Sequence, residues 1–95
     1  MTEKKTYCFR WRCYHIHKAP PYKAAVISSG EICSITRSKA FSAALNRALN
    51  YLRIECPDLD VSNVPTLTRS DRFYRSEYQS KDFIYHVFME DITNV

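Results

Sequence analysis

Hydrophobic and polar residues alternate along residues 6–17, which predicts a β-strand with one buried face. One side of this segment is mainly aromatic and the other mainly polar: Tyr7, Phe9, Trp11, Cys13 and His15 against Cys8, Arg10, Arg12, Tyr14 and Ile16. A period of two with aromatic enrichment is typical of a half-buried strand. Ala19-Pro20-Pro21 then predicts a loop, because proline removes a backbone donor and fixes the backbone.

Four more strands are predicted, at about residues 22–28, 31–36, 72–78 and 83–90. Ser29-Gly30 separates the first two, and a Ser-Gly pair between β-like runs predicts a hairpin turn with a positive φ at Gly30. The last strand alternates strongly, with Phe83, Tyr85, Val87 and Met89 on one side and Ile84, His86 and Phe88 on the other. Residues 64–68 contain a proline and are predicted as a short edge segment, and residues 79–82 as a turn.

A helix is predicted at about residues 38–55, with Ser38 as its N-cap. Apolar residues follow at helical spacing and form one stripe: Phe41, Ala44, Leu45, Ala48, Leu49 and Leu52. Pro57 disfavours helical geometry at the preceding residue and so ends the helix. We therefore expect a single small α+β domain over residues 1–95, a mostly antiparallel sheet in the order β-β-β-α-β-β with one helix packed on one face. The other face would be left to solvent, a partner or a second copy in a homodimer.

Charge is unevenly distributed along the 95 residues. The chain carries +4 overall, with a net charge of +8 in residues 1–54 and −4 in residues 55–95. This asymmetry predicts a bipolar surface, unless folding mixes the two halves. No apolar run approaches the ~18 residues of a membrane helix, and we expect no signal peptide because the first residues lack an apolar segment. We expect a cytoplasmic protein with no membrane association, whose cysteines are free thiols: Cys8, Cys13, Cys33 and Cys56.

Histidine and cysteine spacing offers a weak metal-site hypothesis. Cys13, His15 and His17 share one strand side, and His86 could add a fourth ligand if the two strands pair. The alternative is a core thiol beside two histidines at the strand end, which we favour. No Gly-rich phosphate loop, GxSxG or HExxH motif is present, so no enzyme activity and no cofactor are expected.

A binding role is the remaining expectation. Arginine and tyrosine are enriched at protein-binding hot spots, and the residues that we predict to contact a partner are Arg10, Arg12, Tyr14, Arg72, Tyr74, Arg75 and Tyr78. The expected function is occlusion of a partner protein or nucleoprotein complex. In its size, its lack of targeting signals and its lack of catalytic groups, the chain is analogous to small accessory proteins of phages and mobile elements, including inhibitors of host defence, although no residue pattern carries the analogy. The alternative is direct DNA or RNA binding by a basic sheet and helix face that comprises Arg10, Arg12, Lys18, Lys23, Arg47 and Arg53.

Overall fold

Five antiparallel strands and one helix form the structure, a computed structural model that describes residues 5–57, 59, 61 and 68–93. In chain order the elements are β1 (Tyr7–His17), β2 (Ala24–Ser34), α1 (Arg37–Glu55), β3 (Thr68–Ser70), β4 (Phe73–Gln79) and β5 (Phe83–Asp91). The strands lie side by side in the order β2-β1-β5-β4-β3, and every neighbouring pair is antiparallel. The predicted α+β class, with a single helix packed against an antiparallel sheet, is confirmed.

The predicted order of elements needs one correction before the helix and one after it. The segments predicted as strands at 22–28 and 31–36 form one continuous strand, β2, so Ser29-Gly30 is not a hairpin turn. Gly30 has no positive φ. After the helix the structure has three strands and not two, because the short strand β3 precedes the two predicted ones. It begins at Thr68, the last residue of the predicted edge segment, and the other residues of that segment lie outside the described ones. The observed order is therefore β-β-α-β-β-β.

Gly30 is required by a side chain on the neighbouring strand. Its register partner is Trp11, and the indole ring lies across the glycine. A Cβ atom at position 30 would meet ring atom Cζ2 at 2.5 Å and Cζ3 at 2.9 Å. The indole Nε1 donates to the Ser28 hydroxyl at 3.4 Å, which keeps the ring above the strand. Glycine serves close packing here, and not turn geometry.

The hydrophobic core lies between α1 and one face of the sheet. The predicted alternation of β1 is confirmed, since Phe9, Trp11 and Cys13 are buried whereas Arg12 is exposed. Strand β5 adds Tyr85, Val87 and Met89 to the core, and the helix adds three alanines and two leucines: Ala40, Ala44, Ala48, Leu49 and Leu52. Alanine at helical spacing allows the helix to approach the sheet closely, and α1 packs on β1, β2 and β5.

The two ends of α1 are stabilised by hydrogen bonds. The N-cap is Thr36 and not the predicted Ser38, because the Thr36 hydroxyl accepts from the Lys39 amide at 3.1 Å. Arg37 in the first turn pairs with Asp91 at the end of β5. Burial favours the neutral acid of Asp91, but hydrogen bonds from Thr93 and the charge of Arg37 hold its pKa below the usual value. The helix ends at Glu55, as predicted.

A disulfide joins Cys8 of β1 to Cys33 of β2. The expectation that all four cysteines are free thiols is therefore wrong for this pair, whereas Cys13 and Cys56 are free. The two bonded residues are direct register partners on adjacent strands. Local sequence could not show this, because the partnership depends on the length of the continuous strand β2.

We predict that Gly30→Ala lowers the free energy of unfolding by about 1–3 kcal/mol, the range for overpacking a filled site. The added methyl group must displace the Trp11 ring, so near-ultraviolet circular dichroism of the single tryptophan should change as well. Ser29→Ala is the matched control, because this neighbouring side chain is exposed. Equal denaturant midpoints for the two variants would contradict the packing role of Gly30.

We predict that alkylation in denaturant labels two cysteines without reductant and four after reduction, as counted by intact mass. The bond closes a loop with a sequence separation of 25, so its loss should lower stability by about 3 kcal/mol on the loop-entropy model. Four labelled cysteines without reductant would contradict the disulfide. The same count on protein from its host tests the expected cytoplasmic location, because disulfides are rare in reducing compartments.

Candidate functional site

The sheet surface opposite α1, here called the open face, is the candidate site. On β1 it carries Cys8, Arg10, Arg12, Tyr14 and Ile16, the side predicted to be outward. Register places Glu90, Phe88, His86 and Ile84 of β5 beside them, followed by Phe73, Arg75, Glu77 and Gln79 of β4. The face thus consists of rows of side chains that run across the strands.

The central row of the open face places one aromatic residue between two arginines. Phe88 is the register partner of Arg12 on one side and of Arg75 on the other. Both arginines are exposed, and among the described residues neither has a carboxylate within 4.0 Å. We call Arg12, Phe88 and Arg75 the arginine row. Its two positive charges are available to a partner.

The next row is neutralised by ion pairs within the protein. Arg10 Nη2 lies 2.9 Å from Glu31 Oε1, and Arg10 Nη1 lies 3.6 Å from Glu90 Oε1. The other oxygen of Glu90 lies 3.3 Å from Arg72 Nε. Arg72 precedes β4 in the turn after β3, and its guanidinium also covers the Phe73 ring at 5.5 Å. Arg10 and Arg72 were both predicted to bind a partner, but their charges already have internal carboxylates.

Aromatic side chains pair across the strands of the open face. The Tyr14 and His86 rings stack with their centroids 5.0 Å apart and their planes 17° apart. Phe73 and Phe88 pack at 5.4 Å. His86 also approaches Glu77, with Nε2 3.6 Å from Oε1, while its Nδ1 is buried and has no hydrogen-bond partner among the described residues. The face therefore combines packed rings with flanking charges.

Two of the predicted contact residues lie on the other side of the sheet. Tyr74 packs on Phe41 of α1 at 4.9 Å, and with Phe9 both line an apolar groove of about 410 Å³ beside the helix start. Tyr78 is the register partner of the buried Tyr85, and desolvation raises its pKa. Side chains alternate between the two faces along β4, so Tyr74 and Tyr78 lie on the core side and Arg75 lies on the open face. Of the predicted partner set, the open face brings together Arg10, Arg12, Tyr14 and Arg75, and Arg72 reaches it from the turn.

The residues proposed for nucleic-acid binding do not share one surface. Arg10 and Arg12 lie on the open face, whereas Arg47 is exposed on α1, which covers the opposite face. Arg53 donates to Asn50 Oδ1 at 2.8 Å and to the Val61 carbonyl at 3.0 Å. Lys18 and Lys23 flank the β1–β2 loop. The structure places these residues on different faces of the sheet, and nucleic-acid binding by them stays a prediction.

The metal-site candidates are also divided between the two faces. His86 lies on the open face, while Cys13 and His15 are on the helix side of β1. His15 and His17 instead pack on Phe83, with ring centroids 4.6 and 4.3 Å apart. Within the described ranges, no three His, Cys, Asp or Glu side chains are arranged to hold a metal ion. Sequence spacing placed these four residues together, but strand pairing separates His86 from the others.

Two ionisable groups on the helix side of the sheet, the Cys13 thiol and the Tyr85 hydroxyl, have raised pKa values because they are buried. Desolvation raises the pKa of the Cys13 thiol to about 12, and the side chain is fully buried with its Sγ 3.8 Å from the Ala48 carbonyl. Burial likewise raises the pKa of Tyr85 to about 12. At neutral pH Cys13 is a protonated core thiol, which does not have the chemistry of a nucleophile.

The open face also contains residues that sequence reasoning did not select. Phe88 and Phe73 are part of its centre, and Val26 of β2 is exposed at its edge. The alternation of residues 83–89 placed Phe88 with His86 on one side of β5, which was a usable signal. What the sequence lacked was the neighbour relation that sets Phe88 between Arg12 and Arg75.

Comparison with protein-family models, curated proteins and solved structures found no match to this chain. In the described part of the chain, no helix has the length and apolar character that crossing a membrane requires.

We predict that stability falls as pH rises from 8 to 10 and that Cys13→Ala reduces this fall. The thiol ionises in the unfolded chain above its ordinary pKa of 9.0 but stays protonated in the folded protein, so alkaline pH favours unfolding. The Cys13 contribution at pH 10 is about 1.4 kcal/mol. Both proteins should be measured in excess reductant, so that the Cys13 thiolate of the unfolded chain cannot exchange with the Cys8–Cys33 disulfide and the contributions of the other cysteines cancel. Stability is measured by denaturant unfolding at each pH. If the stabilities of the two proteins fell by the same amount between pH 8 and 10, the raised pKa of Cys13 would be contradicted.

Proposed function

We propose that the protein is a non-enzymatic binding module that docks a partner protein, alone or within a nucleoprotein complex, through the open face. The observation that carries the proposal is the arginine row beside an apolar end of the same surface. At that end Val26 is 59% exposed and lies in register with Tyr14. Arginine and tyrosine beside exposed aliphatic residues are typical of protein interfaces with an apolar centre and a polar rim.

The shape of the open face supports occlusion as the mode of action. Three depressions lie on it: one between Arg10, Arg12, Phe88 and Glu90 of about 30 Å³, one at Phe73 and Arg75 of about 330 Å³, and one at Arg12, Tyr14 and Val26 of about 350 Å³. The two larger ones are open at the surface and do not enclose a ligand, so they offer contact area to a partner. By covering part of a partner, the protein would block that partner's other contacts, which would suit an accessory protein of a phage or mobile element that inhibits host defence.

A pair of matched variants tests the proposal. Val26→Glu adds a charge to the open face, and Ile54→Glu adds the same charge to the helix, where Ile54 is 79% exposed. The tagged proteins are compared in quantitative capture from an extract of the host cells. We expect Val26→Glu to reduce capture of a specific protein at least tenfold, because it places a new charge on exposed apolar surface that the partner would bury, and Ile54→Glu to leave it unchanged. Thermal melting verifies that both variants are folded.

Two results would overturn the proposal. In the first, wild-type protein and Val26→Glu capture the same proteins in the same amounts. In the second, light scattering shows a dimer of the 11.2 kDa chain that Val26→Glu converts to a monomer, which would assign the open face to a second copy.

A further inference from the structure

We infer that the arginine row recognises an acidic protein segment in which two carboxylates flank an apolar side chain. This inference rests on the proposed function and specifies the chemistry of the partner at the same face. The four arginines of the open face differ in whether a carboxylate of the protein lies beside them. Arg10 and Arg72 have carboxylate partners at 2.9 and 3.3 Å. Arg12 and Arg75 have none within 4.0 Å among the described residues.

The spacing of the two unpaired arginines defines the ligand. They lie on β1 and β4 with β5 between them, and all three row residues are in direct register. Two interstrand spacings separate their Cα atoms by about 10 Å. Positions i and i+7 of an α-helix are also about 10 Å apart along its axis. A helix with acidic residues at these positions and an apolar residue midway would set one carboxylate on each guanidinium.

Phe88, between the two arginines, provides an apolar contact for the central residue of such a helix. Together with Phe73 and Arg75 it lines a groove of about 330 Å³ that extends from the Arg75 side of the row toward β3, whereas the depression between Phe88 and Arg12 holds only about 30 Å³. Thr68 and Ser70 of the short strand β3 complete this groove. Packing an aliphatic side chain against Phe88 would remove water from around both ion pairs. Arginine–carboxylate pairs can be bidentate and are therefore geometrically specific, and loss of one partner costs more affinity in a desolvated pair than in an exposed one.

The arrangement of the rings favours a protein segment over single-stranded nucleic acid. Nucleotide platforms need ring faces that are open for bases to stack on. Tyr14 and His86 stack on each other at 5.0 Å and 17°, so they stand upright on the sheet, because rings lying flat side by side cannot approach so closely. Phe73 is packed against Phe88 and covered by the Arg72 guanidinium.

The test uses a defined probe and does not depend on identifying the partner. The probe is an alanine-rich helical peptide with Glu at positions i and i+7 and Leu at i+4. The control peptides replace both Glu by Gln, or move them to i and i+3. We expect the first peptide to shift the backbone amide signals of Arg12, Phe88 and Arg75 in the ¹⁵N-labelled protein. Both controls should bind at least tenfold more weakly.

Variants of the protein complete the test. Arg12→Gln and Arg75→Gln should each weaken the probe at least tenfold, but should have little further effect when the peptide already carries Gln, as coupled pairs do in a double-mutant cycle. Arg47→Gln on α1 is the matched control and should leave affinity unchanged, because Arg47 is exposed away from the open face.

Three outcomes would overturn the inference. The first is that the probe produces no shifts at the arginine row. The second is that the Gln control peptide binds as well as the Glu peptide. The third is that a twelve-nucleotide oligothymidine binds the row more tightly than the probe, which would assign the row to nucleic acid. If Val26→Glu still abolishes capture of the cellular protein in the first two cases, only the ligand class is wrong. If that variant has no effect either, the proposed function fails as well.

Discussion

The register of β1 against its two neighbours decides which side chains are buried and which are presented. A one-residue slip in a strand moves every side chain to the opposite face. In the observed register, Trp11 lies over Gly30 and Cys13 lies under α1, so a slip would bury Arg10 and Arg12 in their place. Burying unpaired charge is far more costly than exposing an aromatic ring. The core therefore fixes the open face, although it contributes no side chain to it.

Much of the fold could be predicted, because β1, α1 and β5 carry strong periodic patterns. The alternation of β1 and the stripe of α1 report burial directly, and the structure confirms both. The errors arose at residue types that can serve two structural roles, namely glycine and cysteine. Gly30 was interpreted as a turn residue, but it is a small residue under a ring. Cys8 and Cys33 were interpreted as thiols, and only the length of β2 makes them neighbours.

The candidate site was predictable only in part, for a related reason. Alternation assigns a side chain to one side of its own strand, but it does not say which strand lies beside it. Arg12 and Arg75 are distant in sequence, and they become neighbours across Phe88 because β5, the last strand, inserts between β1 and β4. Tyr74 and Tyr78 were grouped with Arg75 because they are close in sequence. On a strand, sequence neighbours point to opposite faces, and these tyrosines pack on the core side.

Pairing of strands also changes the meaning of the charge distribution. Folding brings the basic first half and the acidic second half together in part, since Arg10 pairs with Glu90 and Arg37 with Asp91. Among the described residues, Arg12 and Arg75 are left without a carboxylate within 4.0 Å. The guanidiniums of Arg12 and Arg75 lie on either side of the Phe88 ring, which places two such charges beside an apolar group.

The disulfide restricts the strands that carry the arginine row, and this restriction would favour the proposed recognition. Cys8 and Cys33 tie the long edge strand β2 to β1 one row beyond the Arg10–Glu31 pair. That pair, with the second carboxylate at Glu90, holds Arg10 in place beside Arg12. Binding loses affinity when a flexible surface must be ordered on contact, so a face that is already fixed gains affinity without any new contact. The covalent bond, the ion pairs and the stacked rings all restrict the surroundings of the arginine row. The two guanidiniums are then the main groups that a partner has to order.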